Sequence, residues 1–492
     1  MTAAPGAPPD DIEALAKGGR TNIAGFFVRL IARIPFLFIA GQWYGATALG
    51  RLAYAVLVVE FVAQLATLGL KRGLALHLSG DNKQGGVWDA MILVLGAAFL
   101  PTVGLMLFPR IMFPTSEIYG LELLIPLVIP ALALTDLMLA ALAYRYDVGA
   151  TVRAKAIVEP WTISIGAFAL SWYSLRDGLL ISYGLSMAAA LVTAAIPFFK
   201  AYGVPRGWRP EGYVLYRLAR RNLPLAAADG IEWGSRRLDL AILGLFVSPA
   251  TIGIYYVAQQ VASLPQKLKT SFDPILGPVI TRKLEEGDKV AVARQVSQVG
   301  FWIIAAQVGI ALSLGIPGEA LMGLVGPGGS FVGGNGALAF LLLAEVAAAV
   351  AVVSEAALVY IARHRNFLIS GMMILFQAGL TFLLLITARQ QNLPELYQAV
   401  APAAALALSL GFASLVKSNL AEHLLGAPVS VWRWPLVWAS AAGVAAGLVA
   451  IRLPEWAELT IGIPAILSAY GVVIWKWGFG DEDRALFRKA TG

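Results

Sequence analysis

The chain has 492 residues, 58% of them hydrophobic and only 14% charged, and carries a formal net charge of +7. A soluble chain of this length needs roughly a quarter of its residues charged to coat its surface, so a water-soluble globular protein is excluded. There is no cysteine, which excludes disulfide frameworks, zinc–thiolate centres and thiol catalysis.

Residues 1–21 are polar, mixing Asp10, Asp11 and Glu13 with Lys17 and Arg20, and read as a cytoplasmic tail. Apolar runs of about twenty residues then recur along the chain, each long enough at 1.5 Å per residue to cross a hydrocarbon layer of roughly 30 Å. They fall at 22–41, 47–68, 88–108, 120–142, 157–174, 178–200, 223–247, 250–268, 296–316, 338–361, 367–388, 398–417, 433–452 and 459–477. The first is too long for the apolar core of a signal peptide and holds arginines, so it is expected to be a retained span. Aromatic pairs such as Trp43 with Tyr44, Trp172 with Tyr173, and Trp475 with Trp477 sit near run ends, where an interfacial belt belongs. The pattern predicts an all-α integral membrane protein of about fourteen transmembrane helices.

Numbering the connections alternately gives two sides. One receives Lys71, Arg72, Arg145, Arg153, Lys155, the arginines from Arg206 to Arg221, and most of the remaining basic residues. The other holds Arg51, Arg110, Arg176, Arg389 and Arg452 and no lysine. The positive-inside rule therefore places both termini and the basic loops in the cytoplasm. Because the positive charge is spread over many short loops, it is a topology signal, and nucleic acid is not an expected partner.

Leu49-Gly50-Arg51-Leu52-Ala53-Tyr54-Ala55 opens the second run, and Ile252-Gly253-Ile254-Tyr255-Tyr256-Val257-Ala258 opens the eighth. The same offset places Arg33 on Arg236. An even number of spans separates the copies, which implies a parallel repeat about an axis along the membrane normal. The expected organisation is a tail (1–21), an N-lobe of six helices (22–200) and a cytoplasmic linker (201–222). A C-lobe of six helices (223–417) follows, then two further helices with a cytoplasmic tail (418–492). Prolines in or near many runs, among them Pro101, Pro197, Pro224 and Pro265, predict kinks.

Ionisable residues inside apolar runs cost several kcal/mol each and face protein or a water-filled cavity. Arg29 and Arg33 are four residues apart on one helical face, with Arg33 roughly 16 Å into the layer. Arg236 and Arg237 lie about 20 Å along the seventh run. These four arginines are the candidate anion-binding residues, because guanidinium forks match phosphate oxygens in pairs and suit a diphosphate. Glu60, Asp136, Asp229, Glu232, Asp239 and Glu345 are candidate ion-coupling or counter-ion sites. Structural pairing is the competing reading, notably of Glu232 with Arg236 at i, i+4.

The glycine-rich stretch Gly326 to Gly336 lacks the Lys-Ser/Thr of a phosphate-cradling loop and reads as a turn. The three histidines (His77, His364, His423) have no metal-ligand spacing. No cofactor, metal site or catalytic constellation is indicated, so an enzyme is not expected. No loop is long enough for an ATP-binding domain.

Several segments carry a family resemblance. They are Phe26 to Gly73, with Leu49 to Ala55 and Leu68-Gly69-Leu70; Ser235-Arg236-Arg237-Leu238-Asp239; Ala143-Tyr144-Arg145 to Arg153; and Leu324-Val325-Gly326 to Ala337. In span order they resemble the Wzx-like polysaccharide-transport flippases of the multidrug/oligosaccharidyl-lipid/polysaccharide exporter superfamily. The resemblance implies two pseudo-symmetric six-helix lobes forming a V around a central cavity, with alternating access. It also implies an undecaprenyl-diphosphate-linked oligosaccharide as substrate, moved from the cytoplasmic to the periplasmic leaflet of a bacterial inner membrane. Membrane lipids and a polymerase of the same glycan pathway are the implied partners. In related lipid II flippases, arginines of the first helices contact the diphosphate, and Arg29 and Arg33 occupy a comparable region here. A lipid II flippase and a cation-coupled multidrug exporter are the alternatives within the superfamily.

Overall fold

The computed structural model describes residues 34–78, 83–118, 120–205, 207–270, 280–480 and 483. Arg29 and Arg33 lie outside the described residues. Among the described residues the regular structure is helical throughout, and nine helices are long and apolar enough to cross a membrane. The expected spans outside those nine also contain helices, which are shorter (Glu159–Leu170, Pro435–Ala450) or more polar (Gly212–Leu243, Pro249–Thr270). Helices such as Arg363–Gln390 expose Leu368, Met372, Leu375, Phe376 and Leu383 in a continuous apolar face. In water such a face would drive aggregation, whereas in a bilayer it is the contact with lipid. The chain is a multi-pass membrane protein.

Contacts divide the chain into two compact units, Met1–Gly253 and Ile254–Gly492. In the first unit, a π-helical turn at Ala40–Tyr44 ends at Gly45, whose φ of +79° breaks the helix before α1, Gly45–Ala66. A second break at Leu68 (φ 50°) and Gly69 (φ 71°) leads into the short helix α2, Leu70–Leu78. A Cβ on Gly69 would lie 2.6 Å from the Ala226 nitrogen, so glycine is required there by both backbone conformation and space. The remaining main helices of this unit are α3 (Lys83–Leu107), α4 (Val128–Tyr144), α5 (Glu159–Leu170), α6 (Gly178–Tyr202) and α7 (Gly212–Leu243). Pro101, Pro197 and Pro224 lie within α3, α6 and α7.

The repeated sequence motifs meet at a close backbone crossing. A Cβ on Gly50 would lie 1.7 Å from the Pro249 carbonyl oxygen, and one on Gly253 would lie 2.0 Å from that of Ala46. Gly50 corresponds to Gly253 and Ala46 to Pro249 under the repeat offset, so the crossing is reciprocal. Glycines at such positions let helix backbones approach in the manner of small-residue membrane packing.

The second unit holds most of α8 (Pro249–Thr270), then α9 (Lys289–Gly315), α10 (Asn335–Ile361), α11 (Arg363–Gln390) and α12 (Val400–Leu425). Helices α13 (Pro435–Ala450) and α14 (Ile463–Val473) complete it, with π-helical turns at Glu458–Gly462 and Ile474–Gly478 on either side of α14. Buried alanines, among them Ala344, Ala348 and Ala351 of α10 and Ala403, Ala407 and Ala413 of α12, let α10 and α12 pack closely. Ser414 donates to the Ala347 carbonyl (2.5 Å) and accepts from the Ala351 amide (3.1 Å), tying the two helices together. The glycine-rich stretch is a pair of 3-10 turns, with Gly328 and Gly329 at positive φ.

Candidate functional site

The first unit gathers charged side chains from five segments. The break at Leu68–Gly69 directs α2 so that Lys71 and Arg72 reach α4 and α7. Arg72 Nε lies 2.9 Å from Asp229 Oδ1, and its Nη2 donates to Glu232 Oε2. The other oxygen of Glu232 accepts from Arg236 Nη2 at 3.0 Å. One carboxylate thus bridges two guanidinium groups, and one guanidinium bridges two carboxylates of α7. Asp229 and Glu232 are three residues apart on a single helical face, which is the spacing that lets one arginine reach both.

Next to this group, Asp136 of α4 lies 3.1 Å from Lys71 Nζ and 3.4 Å from Lys155 Nζ. Lys155 also pairs with Glu159 at 3.2 Å, and interacts through space with Glu60. Lys155 sits in a π-helical turn, Val152–Val158, that runs into α5. Such turns are costly and often mark functional positions. The burial is asymmetric. The Asp229 side chain is 1% exposed, whereas those of Arg72 and Arg236 are 53% and 49% exposed. Asp229 is the embedded member, and the guanidinium groups, with Glu232 between them, present open faces.

The lysines and arginines that form these pairs equal the carboxylates in number, so the cluster is charge-compensated. The Arg72 pairs use Nε and Nη2 and leave its Nη1 face outside them. Arg237 is half-buried beside Arg236, and no ion pair joins it to a carboxylate among the described residues. An incoming anion could therefore be held by the exposed guanidinium faces, or could displace Glu232, which is itself 46% exposed.

Of the sequence candidates, Asp136, Asp229, Glu232 and Arg236 are brought into this constellation, with Glu60 at its edge. Asp239 is buried on α7, and Glu345 lies half-buried on α10 of the second unit. Lys71, Arg72 and Lys155 were not among the candidates, because they lie at the ends of apolar runs and count there as loop charges. The Leu68-Gly69 break directly before Lys71-Arg72 is the signal that would have found the first two.

The second unit has its own ion pair, buried at one end only. Lys417 of α12 donates to Glu355 of α10 (2.8 Å) and to Ser370 of α11 (3.0 Å), while Asn366 donates to Glu355 (3.3 Å). Here the ammonium is the buried partner, 4% exposed, and the carboxylate is 41% exposed. Where the chain leaves the last span, Asp483 accepts from Arg433 (2.6 Å), Trp302 (2.8 Å) and the Gly480 amide (2.9 Å). Burial alone would raise the Asp483 carboxyl, but these donors together hold it below the ordinary carboxylate value.

No family model matches the sequence, and no curated protein matches it. Solved structures do match. The chain is similar to a structure titled lipid II flippase MurJ, inward closed conformation, with a TM-score of 0.70 and 12% identity. That match covers 95% of this chain and 99% of the other. It is also similar to an inward-facing multidrug resistance MATE family transporter of the MOP superfamily, with a TM-score of 0.60, 12% identity, and coverage of 81% and 94%. A MATE structure in the bent conformation matches with a TM-score of 0.52 and 12% identity over 84% of this chain and 95% of the other. At these identities the shared property is the fold: the chain has the MurJ- and MATE-like all-helical transporter fold.

Proposed function

We propose that the protein is a flippase of the multidrug/oligosaccharidyl-lipid/polysaccharide exporter superfamily. In this reading it moves an undecaprenyl-diphosphate-linked oligosaccharide from the cytoplasmic to the periplasmic leaflet by alternating access. The observation that carries the proposal is the Arg72–Glu232–Arg236 bridge, in which two half-exposed guanidinium groups, one on α2 and one on α7, stand together on a shared carboxylate. A diphosphate offers paired oxygens to two such forks, and its charge would offset the cost of keeping them in the layer. Arg33, related to Arg236 by the repeat, and the neighbouring Arg29 and Arg237 are proposed as further diphosphate contacts. Asp136, Asp229 and Glu232 serve as counter-ions of the empty site, with Glu60, Asp239 and Glu345 as the remaining candidates for ion coupling.

The fold shared with the lipid II flippase over 95% of the chain, and with the inward-facing MATE transporter over 81%, is compatible with a lipid-linked substrate and with a small drug, and the paired guanidinium groups favour the diphosphate. It equally supports a second reading, in which the guest is lipid II itself. The test is translocation in proteoliposomes loaded in turn with a fluorescent undecaprenyl-diphosphate oligosaccharide, with lipid II, and with a cationic dye under an ion gradient. The proposal expects movement of the oligosaccharide lipid and its loss in Arg33→Ala and Arg72→Ala. Dye efflux without lipid movement would overturn it, and movement of lipid II alone would select the second reading.

A further inference from the structure

Helix α7 is longer than a membrane requires. Its 32 residues span about 48 Å, against a hydrocarbon layer of roughly 30 Å. With the apolar part beginning near Leu223, the first three turns project beyond the layer. Arg221, Arg220 and Arg217 then stand about 3, 4.5 and 9 Å past its boundary. The headgroup zone adds roughly 5–8 Å on each side, so Arg220 and Arg221 fall within it and Arg217 at its outer edge.

The two faces of this projection differ sharply. Leu218 and Asn222 are buried against the protein. Tyr213, Tyr216, Arg217, Arg220 and Arg221 are all exposed, and at 100° per residue they occupy one arc of about 140°. The Arg217 guanidinium lies over the Tyr213 ring, 5.1 Å from its centroid, which holds the charge away from the helix axis. Arg209, just before the helix, is exposed as well. Glu211 is the sole acid among the described residues between Gly203 and Ala228. No described ion pair involves Arg209, Arg217, Arg220 or Arg221, in contrast to Arg72 and Arg236 further along.

We propose that this face is a docking site for anionic phospholipid headgroups of the leaflet on the basic-loop side. The arginines would hold the phosphates, and the tyrosines would sit at the interface. Charge complementarity and placement decide the occupant. Arg220 and Arg221 at headgroup depth, Arg217 at its outer edge and Arg209 just before the helix are four cations outside any described ion pair, on or beside the helix that carries Asp229, Glu232 and Arg236. Bound lipid would therefore fix the position of the helix that bears the charged cluster.

The experiment uses the full chain in nanodiscs of phosphatidylcholine with graded phosphatidylglycerol, with retained lipid counted by native mass spectrometry. The R217Q/R220Q/R221Q variant is expected to lose retained phosphatidylglycerol affinity by about a hundredfold, at roughly tenfold or somewhat less per cation removed near the surface. R217K/R220K/R221K should keep most of it, and R363Q/R365Q, on another loop of the same side, should change little. For wild type, raising the salt should strip phosphatidylglycerol and leave phosphatidylcholine, which provides a test even if the glutamine variant fails to insert. Equal retention by wild type and the glutamine variant would overturn the proposal. So would an equal loss in R363Q/R365Q, or salt-insensitive retention by wild type. Retention of a co-purified protein in place of lipid, lost in the same variant, would also overturn it. Translocation activity is not the readout, so failure here leaves the flippase reading standing.

Discussion

The two units solve the problem of embedded charge in opposite ways. In the first, Asp229 is buried and the guanidinium groups of Arg72 and Arg236 are half-exposed. In the second, Lys417 is buried and Glu355 is the open partner. The buried member of a pair is committed to structure, because exposing it means breaking the pair and leaving a charge uncompensated. The open member keeps hydrogen-bonding capacity for a guest. On the proposed reading the first unit offers two open guanidinium groups to an anion, with Glu232 the open carboxylate between them, whereas the second offers a carboxylate alone. The hardware differs as well. Arg72 is a planar fork engaging two carboxylates, while Lys417 is a point charge bonded to one carboxylate and one hydroxyl. A fork recognises oxygen geometry, and a point charge chiefly neutralises.

The largest expected effect is on the second unit's stability. Glu355→Ala leaves Lys417 buried without its counter-charge and should cost about 3–5 kcal/mol, read as a lower thermal midpoint of the purified protein. The double variant Glu355→Leu with Lys417→Met should recover most of that loss, since a packed apolar pair replaces two charges. If the double variant were as unstable as the single, the pair would have a role beyond neutralisation. In the first unit, Arg72→Ala should lower translocation by about 10–100-fold, the range of one or two charge-assisted hydrogen bonds. Its stability should fall by only about 1–2 kcal/mol, because the guanidinium is half in solvent and the buried Asp229 keeps the charge of Lys71 nearby. Arg72→Lys is the finer probe. Keeping the charge but losing the fork should hold stability near wild type and still lower translocation by about tenfold. Full activity in the lysine variant would reduce Arg72 to a neutralising charge and erase the distinction between the units.

Much of this was open to reading in the residues, and what was hidden had a physical cause. Apolar runs of spanning length located the helices, because a bilayer imposes a length on every crossing segment. Asp136, Asp229, Glu232 and Arg236 stood out as charges inside such runs. Lys71, Arg72 and Lys155 did not, since a charge at the end of a run has the pattern of a loop residue. What moved them into the site is backbone conformation. The positive φ of Leu68 and Gly69 turns α2 against α4 and α7, and the π-helical turn at Val152–Val158 carries Lys155 to Asp136. Lys417 is hidden in the sequence for the same reason. It ends the twelfth apolar run, yet α12 continues to Leu425 and holds it within the bundle. The repeat was visible as Gly50 and Gly253 in matched motifs, but sequence spacing alone could not bring their backbones into contact.

The Asp483 clasp sharpens the comparison by breaking its simplest form. It belongs to the second unit, yet its carboxylate is the buried partner and Arg433 the more exposed one, as in the first unit. The direction of exposure is therefore a property of each site, set by which side chain the packing encloses. Because Asp483 titrates below the ordinary carboxylate value in the folded chain, its pairing stabilises the protein above the ordinary value. That contribution disappears as pH falls through the depressed folded value. Asp483→Asn should lower the thermal midpoint at neutral pH by the equivalent of about 1 kcal/mol, since Arg433 is partly exposed and shares its charge with water. The gap between wild type and variant should close as the pH drops below the carboxylate range, because a protonated Asp483 and an asparagine are then both neutral. A gap that stayed constant with pH would mean that the carboxylate acts through shape and packing against Trp302, and that its charge contributes nothing to holding the end of the last span.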